Sequence, residues 1–285
     1  MDHAAIRYLE AKRSIDDRAM ADEVLATVRR SLPPDPTILE AGCGTGTMVP
    51  RLLELGITDG TYRGVDRDET VIAFARDDRP KELRNGGRQV DVSPRGFRVD
   101  DMAVSFVVGD ALDAFADVSD ADLFVAASFA DLVPIPALLD TITTALRPGG
   151  LAYLPLTFDG ETVFQPDHPA DEQVIDAYHQ AIDARPGRDA RAGRHLLHEF
   201  QDSPGELLAV ASSDWIVRPR DGVYPTDEAY FLTRILDFVE SSLSNASPPV
   251  PDLADWLEVR RSQLAASELT YVAHNYDLLY RTAGD

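Results

Sequence analysis

Apolar residues in this chain fall into short runs and one-sided faces, and the element boundaries follow from them. Residues 4–31 carry Ile6, Leu9, Met20, Val24, Leu25 and Val28 at spacings that make partial apolar faces of a helical segment. The proline-rich LPPDP at 32–36 ends that segment. Ile38 and Leu39 then read as a buried strand that closes on Glu40, and Met48 to Leu55 as the helix after it. YRGVDRD at 62–68 predicts a second strand ending at Asp66. SFVVGDALD at 105–113 predicts a third, followed by Asp110, and ADLFVAASFADL at 121–132 a fourth with its carboxyl end at Ala127, Ser128 and Phe129. ALRPGGLAYLPLTFDG at 145–160 reads as a helix end, a tight turn and a fifth strand.

Between the second and third strands, residues 77–101 are polar and punctuated by Gly and Pro, which predicts an exposed excursion. Beyond the fifth strand the pattern changes. Segments 168–184 and 192–206 read as helices, 207–219 as a sixth strand, 226–243 and 251–267 as two amphipathic helices, and 268–282 as a last strand.

The turn at 42–47 narrows the chemistry. Glycines at 42, 44 and 46 let the backbone approach a ligand with no Cβ in the way. The helix that follows aims its N-terminus at the same place. A dinucleotide fingerprint has its third glycine three residues after the second, but Thr47 stands there. Glu40 followed by Gly42, Cys43, Gly44 and Gly46 resembles instead motif I of the class I S-adenosylmethionine (SAM) methyltransferases. The later strands and the Pro-Gly-Gly turn follow in that family's order over about 120 residues.

That resemblance implies an α/β fold: a doubly wound, mostly parallel seven-stranded sheet of the Rossmann-like methyltransferase type, with helical insertions. It implies SAM as cofactor, bound by Glu40, the glycine loop, Asp66, Arg67, Asp110, Ala111, Ala127, Ser128 and Phe129. In it Asp66 takes the ribose hydroxyls and Asp110 the adenine amino group. In the family the last two strands form a direct hairpin, whereas nearly fifty residues intervene here. The resemblance divides the chain into an N-terminal lid (1–36), a SAM-binding core (37–158), a helical cap (159–195) and the rest of the sheet (196–285). Tyr8, Lys12 and Arg13 are candidates to meet the cofactor's carboxylate from the lid. The Asn-Pro-Pro-aromatic signature of nucleobase and glutamine methylation is absent, since Ser128-Phe129-Ala130-Asp131 stands at the fourth strand.

Composition adds limits. The formal net charge is −22, with 25 arginines but two lysines, and with 35 Asp against 14 Glu. A surface that acidic opposes binding to phosphate backbones, which excludes nucleic acid as the expected partner. It resembles the bias of extreme halophiles, in which salt screens the repulsion. One cysteine excludes an internal disulfide and a cysteine metal cluster, and no metal is expected. No apolar run suits a membrane helix and the N-terminus lacks a signal-peptide order, so no membrane partner and a cytoplasmic location are expected.

The reading is thus a SAM-dependent methyltransferase acting on a small-molecule acceptor. An aminopropyl-transfer enzyme or a SAM-binding regulator on the same fold stays open, with an NAD-dependent oxidoreductase disfavoured by the glycine spacing. Candidate bases are His168, His179, His195, His198 and His274, with His179 and His274 placed first because the insertions roof the pocket. Arg185, Arg188, Arg191 and Arg194 either clamp an acceptor carboxylate or phosphate or pair with neighbouring Asp residues. The acceptor pocket is expected beside Ser128 and Phe129, walled by 159–195 and by Tyr224 to Phe231.

Overall fold

The computed structural model describes residues 6–284; residues 1–5 of the expected lid lie outside it. The N-terminal segment forms α1 (Ile6–Ala19) and α2 (Asp22–Ser31). Then come β1 (Thr37–Ala41), α3 (Met48–Glu54), β2 (Asp59–Asp66) and α4 (Glu69–Asn85). Two short strands, β3 (Val90–Ser93) and β4 (Gly96–Val99), precede β5 (Asp101–Val108). Next are α5 (Ala111–Phe115), β6 (Ala121–Val125), α6 (Ile135–Ala145) and β7 (Leu146–Gln165). The chain closes with α7 (Asp171–Asp183), α8 (Ala192–Asp202), β8 (Glu206–Ser212) and β9 (Trp215–Val217). After them come α9 (Glu228–Leu243), α10 (Leu253–Ala265) and β10 (Thr270–Arg281).

All ten strands share one sheet, in the order β3-β4-β5-β2-β1-β6-β7-β10-β8, with β9 also on β10. The five central strands β5, β2, β1, β6 and β7 are parallel. β10 is antiparallel to both β7 and β8. The sheet is larger than the seven strands expected. The surplus is the β3–β4 hairpin plus a break that splits the sixth strand into β8 and β9. That break falls at Ser213 and Asp214, opposite a register shift in β10 between Ala273 and Asn275.

Residues 77–101 are exposed over much of their length, as expected, but they form the end of α4 and the β3–β4 hairpin and bury part of themselves. Asp68 caps α4 by accepting from the Thr70 and Val71 amides at 2.7 and 3.2 Å, and the helix continues through Pro80 to Asn85. Its polar look hides Arg79, which is buried and donates to the Thr45 carbonyl at 2.8 Å. The hairpin then buries Phe97 and Val99 on the sheet edge.

β1 is buried along nearly its whole length, as a central parallel strand must be when helices cover both faces. One face is covered by α2, α3 and α4 through Val24, Met48, Leu52 and Ile72. The other is covered by α5, α6 and α8 through Phe115, Leu138, Leu196 and Phe200. A third apolar cluster lies beyond the sheet's upper edge. β7 runs on to Gln165 because its ladder with β10 continues to Thr270, so the segment expected as a helical cap begins as strand. On this ribbon α1, α7, α9 and α10 pack through Tyr8, Val174, Phe231 and Trp256. Each such fully buried aromatic contributes about 1.5–3 kcal/mol. No helix among the described residues is long and apolar enough to cross a membrane.

Buried Asp277, on β10, ties these layers together. Its carboxylate accepts from the Ala21 amide at 2.9 Å, where α2 begins, and from the Leu156 amide at 2.9 Å. Tyr153 donates its hydroxyl to it at 3.2 Å.

Candidate active site

The carboxyl ends of β1, β2, β5 and β6 open into a cavity of about 430 Å³ that continues under α1, α7 and α9. The topology dictates this position: helices leave the parallel strands on opposite faces, and the crevice opens at the strand ends between them. The glycine loop forms part of its floor. Gly42, Gly44 and Gly46 have φ of +69°, +50° and +76°, a region that side chains other than glycine's enter at a cost. A Cβ on Gly42 would stand 2.3 Å from the Phe129 ring, and one on Gly44 3.3 Å from Leu9. Gly46 is different. It does not line the cavity, and its Cα backs onto the Phe106 ring, which a Cβ would meet at 2.7 Å.

Asp66 ends β2 and faces the loop. Its Oδ2 accepts from the Gly44 amide at 3.0 Å and its Oδ1 from the Asp68 amide at 3.0 Å, which leaves further lone pairs toward the cavity. Arg67 beside it pairs with Asp110 across the mouth. Asp110 itself caps α5 through the Leu112 amide at 2.9 Å, and its neighbours Gly109 and Ala111, not its own side chain, line the cavity. Burial alone would raise the Asp110 carboxyl, but hydrogen bonds from Arg67 and the Leu112 amide hold it below the ordinary range. Ala127, Ser128 and Phe129 all line the cavity, and Ser128 is held at φ +48°.

Two buried groups at the floor have shifted acidities. Burial pushes the Glu40 carboxyl up to about 8, although the Tyr62 hydroxyl donates to it. Burial also pushes the Cys43 thiol well up, so it stays protonated and fills space.

From α1, Tyr8, Leu9, Lys12 and Asp16 form one wall. Lys12 Nζ donates to Ser128 Oγ at 2.9 Å, pairs with Asp16 at 3.2 Å and sits 4.9 Å from the Trp215 ring centre. Arg13, named with it from the sequence, turns away to Glu82. Sequence reading missed two wall residues here, Asp16 and Arg51. Asp16 Oδ1 and Arg51 Nη2 are buried polar atoms with no hydrogen-bond partner. The one available signal was the (i, i+4) spacing of Lys12 and Asp16 on a helix.

The far end of the cavity lies under α7 and α9. Tyr178 and Ile182 of α7, Ile235 and Phe238 of α9, and Phe158 of β7 make it mostly apolar. The expected wall from Tyr224 to Phe231 is not there: Phe231 is buried against Tyr8 and Trp215, and Tyr224 donates to the Leu269 carbonyl at 2.7 Å. One helical turn further along α9, the face bearing Ile235 and Phe238 reaches the cavity instead.

Of the four arginines, Arg185 and Arg188 line this end, while Arg194 is held by Asp159 at 2.8 Å. Asp131, on the turn after β6, lines it too. Burial pushes its carboxyl up to about 6, against the pull of its own backbone, Arg188 and Lys12.

None of the five histidines considered as bases lines the cavity. His274 bonds Asp214 at 2.7 Å at the β9 break. His179 stands behind Thr162, 3.0 Å from its hydroxyl, and burial, then Arg191, lowers its pKa. His168, His195 and His198 pair with Asp255, Asp189 and Asp202. Asp131 was visible in sequence only as an acidic residue three positions past Ser128.

A family model described as a methyltransferase domain matches residues 39–154. Among solved structures, a protein from Bacillus halodurans assigned as a methyltransferase aligns with 14% identity and a TM-score of 0.53, covering 91% of this chain and 98% of that one. One from Anaeromyxobacter dehalogenans, assigned as a type II methyltransferase, aligns with 16% identity and a TM-score of 0.53, covering 93% of this chain and 98% of that one. At such identities the likeness is one of fold. No curated protein matches the sequence.

Proposed function

We propose that this SAM-dependent methyltransferase, whose methyltransferase domain matches residues 39–154, methylates a small organic molecule held beneath α1, α7 and α9. The observation that carries this is continuity: one cavity runs from the glycine loop and Asp66 to Tyr178 and Phe238. A polymer would need an open track, and this cavity is roofed.

The residues present fit the cofactor. Gly42 and Gly44 bring backbone to the cavity at positive φ, and Asp16 Oδ1 and Arg51 Nη2, which make no hydrogen bond although the two side chains pair at 3.7 Å, match an α-amino acid's ammonium and carboxylate. In this reading Asp66 accepts from the ribose hydroxyls, the Gly109 and Ala111 backbone beside Asp110 meets the adenine edge, and Lys12 with Arg51 faces the carboxylate. Glu40 and Cys43 shape the floor without meeting the cofactor through charge, and Gly46 lies behind the floor against Phe106.

When bound, SAM supplies an electrophilic methyl group whose leaving group is a neutral thioether, so no departing anion needs stabilising. The protein's work is orientation and exclusion of water, of which orientation can be worth up to ~7–11 kcal/mol in ideal cases. Ser128 and Phe129 limit the approach from below and the aromatic roof from above. Asp131 is the group placed to receive a proton from a hydroxyl or amine acceptor, a role worth about 100- to 10,000-fold. It takes the place first given to His179 and His274.

Thermal-shift titration with SAM and with NAD tests the cofactor, and transfer of tritiated methyl to lysate metabolites tests turnover. Binding of SAM with methyl transfer to a small-molecule fraction is expected. Stabilisation by NAD alone, or label found only in macromolecules, would remove the proposal.

A further inference from the structure

The acceptor end of the cavity has a charge balance opposite to that of the chain. The protein as a whole carries −22, with 49 carboxylates against 27 cationic side chains. Around the far end, Arg185 and Arg188 face a single carboxyl, Asp131. Of the other charged residues that line the cavity nearby, Lys12 pairs with Asp16 at 3.2 Å and Arg67 with Asp110. Among the side chains that line this end, the excess is one positive charge.

Neither guanidinium is consumed by the fold. Among the described residues the Arg185 guanidinium donates only to the neutral Ser242 hydroxyl, at 3.1 Å. Among the described residues the Arg188 guanidinium makes no hydrogen bond or ion pair, and burial lowers its pKa although Asp131 opposes that. Arg194, six residues on, is held by a carboxylate in the ordinary way. Arg188 is half-buried at the cavity wall, so its guanidinium is free to pair with an anionic group that a ligand brings. The overall field of this protein repels anions, so their binding requires such a local cationic patch.

We propose that the acceptor is a small organic anion, whose carboxylate or phosphate group pairs with Arg188 and Arg185 and whose apolar or aromatic body lies against Phe158, Tyr178 and Phe238. This rests on the methyl-transfer reading of the same cavity. Both guanidiniums come from the α7–α8 connection, so the anion would also hold that segment over the site. The planar fork of arginine suits either anionic group, and the bound charge would sit beside the α7–α8 connection.

The test is calorimetry at fixed KCl concentration, on the protein alone and saturated with S-adenosylhomocysteine. The probes are benzoate against benzamide, phenylacetate against phenylacetamide, and phenyl phosphate. At least one anion is expected to bind about tenfold more tightly than its neutral counterpart. Arg188→Gln should abolish that preference, while S-adenosylhomocysteine affinity and the melting temperature stay as they were. Arg218→Gln, on an exposed residue outside the cavity, should keep it. Phenyl phosphate binding more tightly than benzoate assigns the group as phosphate, and the reverse order assigns it as carboxylate. Absence of any preference for the anions, or a preference that survives in both Arg188→Gln and Arg185→Gln, overturns the inference. Failure of the wild-type protein to bind S-adenosylhomocysteine would instead overturn the cofactor reading, and the titrations of the ligand-free protein would still decide this one.

Discussion

Removing the Asp66 carboxylate tests the cofactor site most directly. Asp66 lies at the end of β2 with one oxygen on the Gly44 amide and the other on the Asp68 amide, both at 3.0 Å. In the proposed complex its remaining lone pairs accept from the two ribose hydroxyls. Losing those charge-assisted bonds in Asp66→Ala should weaken S-adenosylhomocysteine by about 1.5–3 kcal/mol, or roughly ten- to hundredfold. The same substitution leaves the Gly44 amide without its acceptor, so part of any loss could arise from a loosened loop. A cycle with the 2′-deoxy analogue separates the two effects. Wild-type protein should discriminate between the ligands, whereas Asp66→Ala should bind both with equal, weaker affinity. Calorimetry gives all four dissociation constants. Affinity within about threefold of wild type, or a discrimination that persists in the variant, would refute the ribose assignment.

Gly42→Ala, at φ +69° and with a Cβ 2.3 Å from the Phe129 ring, should cost about 1–2 kcal/mol in backbone strain and displace that ring into the cavity; cofactor affinity measured on the folded variant checks it. Asp277→Ala orphans the Ala21 and Leu156 amides and the Tyr153 hydroxyl, and should lower unfolding free energy by roughly 3–6 kcal/mol in a urea titration. Glu40, raised by burial to about 8, holds its proton in the fold at pH values where the unfolded chain has lost it. Its contribution is therefore fully present below about pH 4.5 and lost as pH rises toward 8, and a wild-type stability that does not fall over that window relative to Glu40→Gln would contradict this. The net charge of −22 predicts a melting temperature that rises from dilute buffer to molar KCl, as the screening length falls from about 30 Å to about 3 Å; a flat response in a salt series would count against the halophile-like reading.

The linear sequence alone determined the parallel half of the sheet and the loop on it. Ile38 and Leu39, the alternate glycines and Asp66 are local signals, because burial on both faces, positive φ and a strand end each leave a mark within a few residues. The same locality explains the errors. Residues 77–101 looked like an exposed excursion because polar residues and Pro80 dominate the window, while the burial of Arg79 depends on Glu10 and Thr45 far along the chain and that of Phe97 and Val99 on the pairing of β4 with β5. The length of β7 was equally invisible, since its extension past Phe158 is set by β10, more than a hundred residues later.

Which charges face the cavity was decided by tertiary structure. Asp16 from α1, Arg51 from α3, Asp131 from the turn after β6 and Arg188 from the α7–α8 connection meet only when the sheet brings four separate crossings to one edge. The histidines show the converse. Their residue type advertised base chemistry, but the packing of α7 behind Thr162 and the β9 break beside Asp214 turned His179 and His274 out of the site. A residue's chemistry is written in its side chain, whereas its access to a ligand depends on the orientation of the element that carries it, and that orientation is fixed by burial across the whole fold.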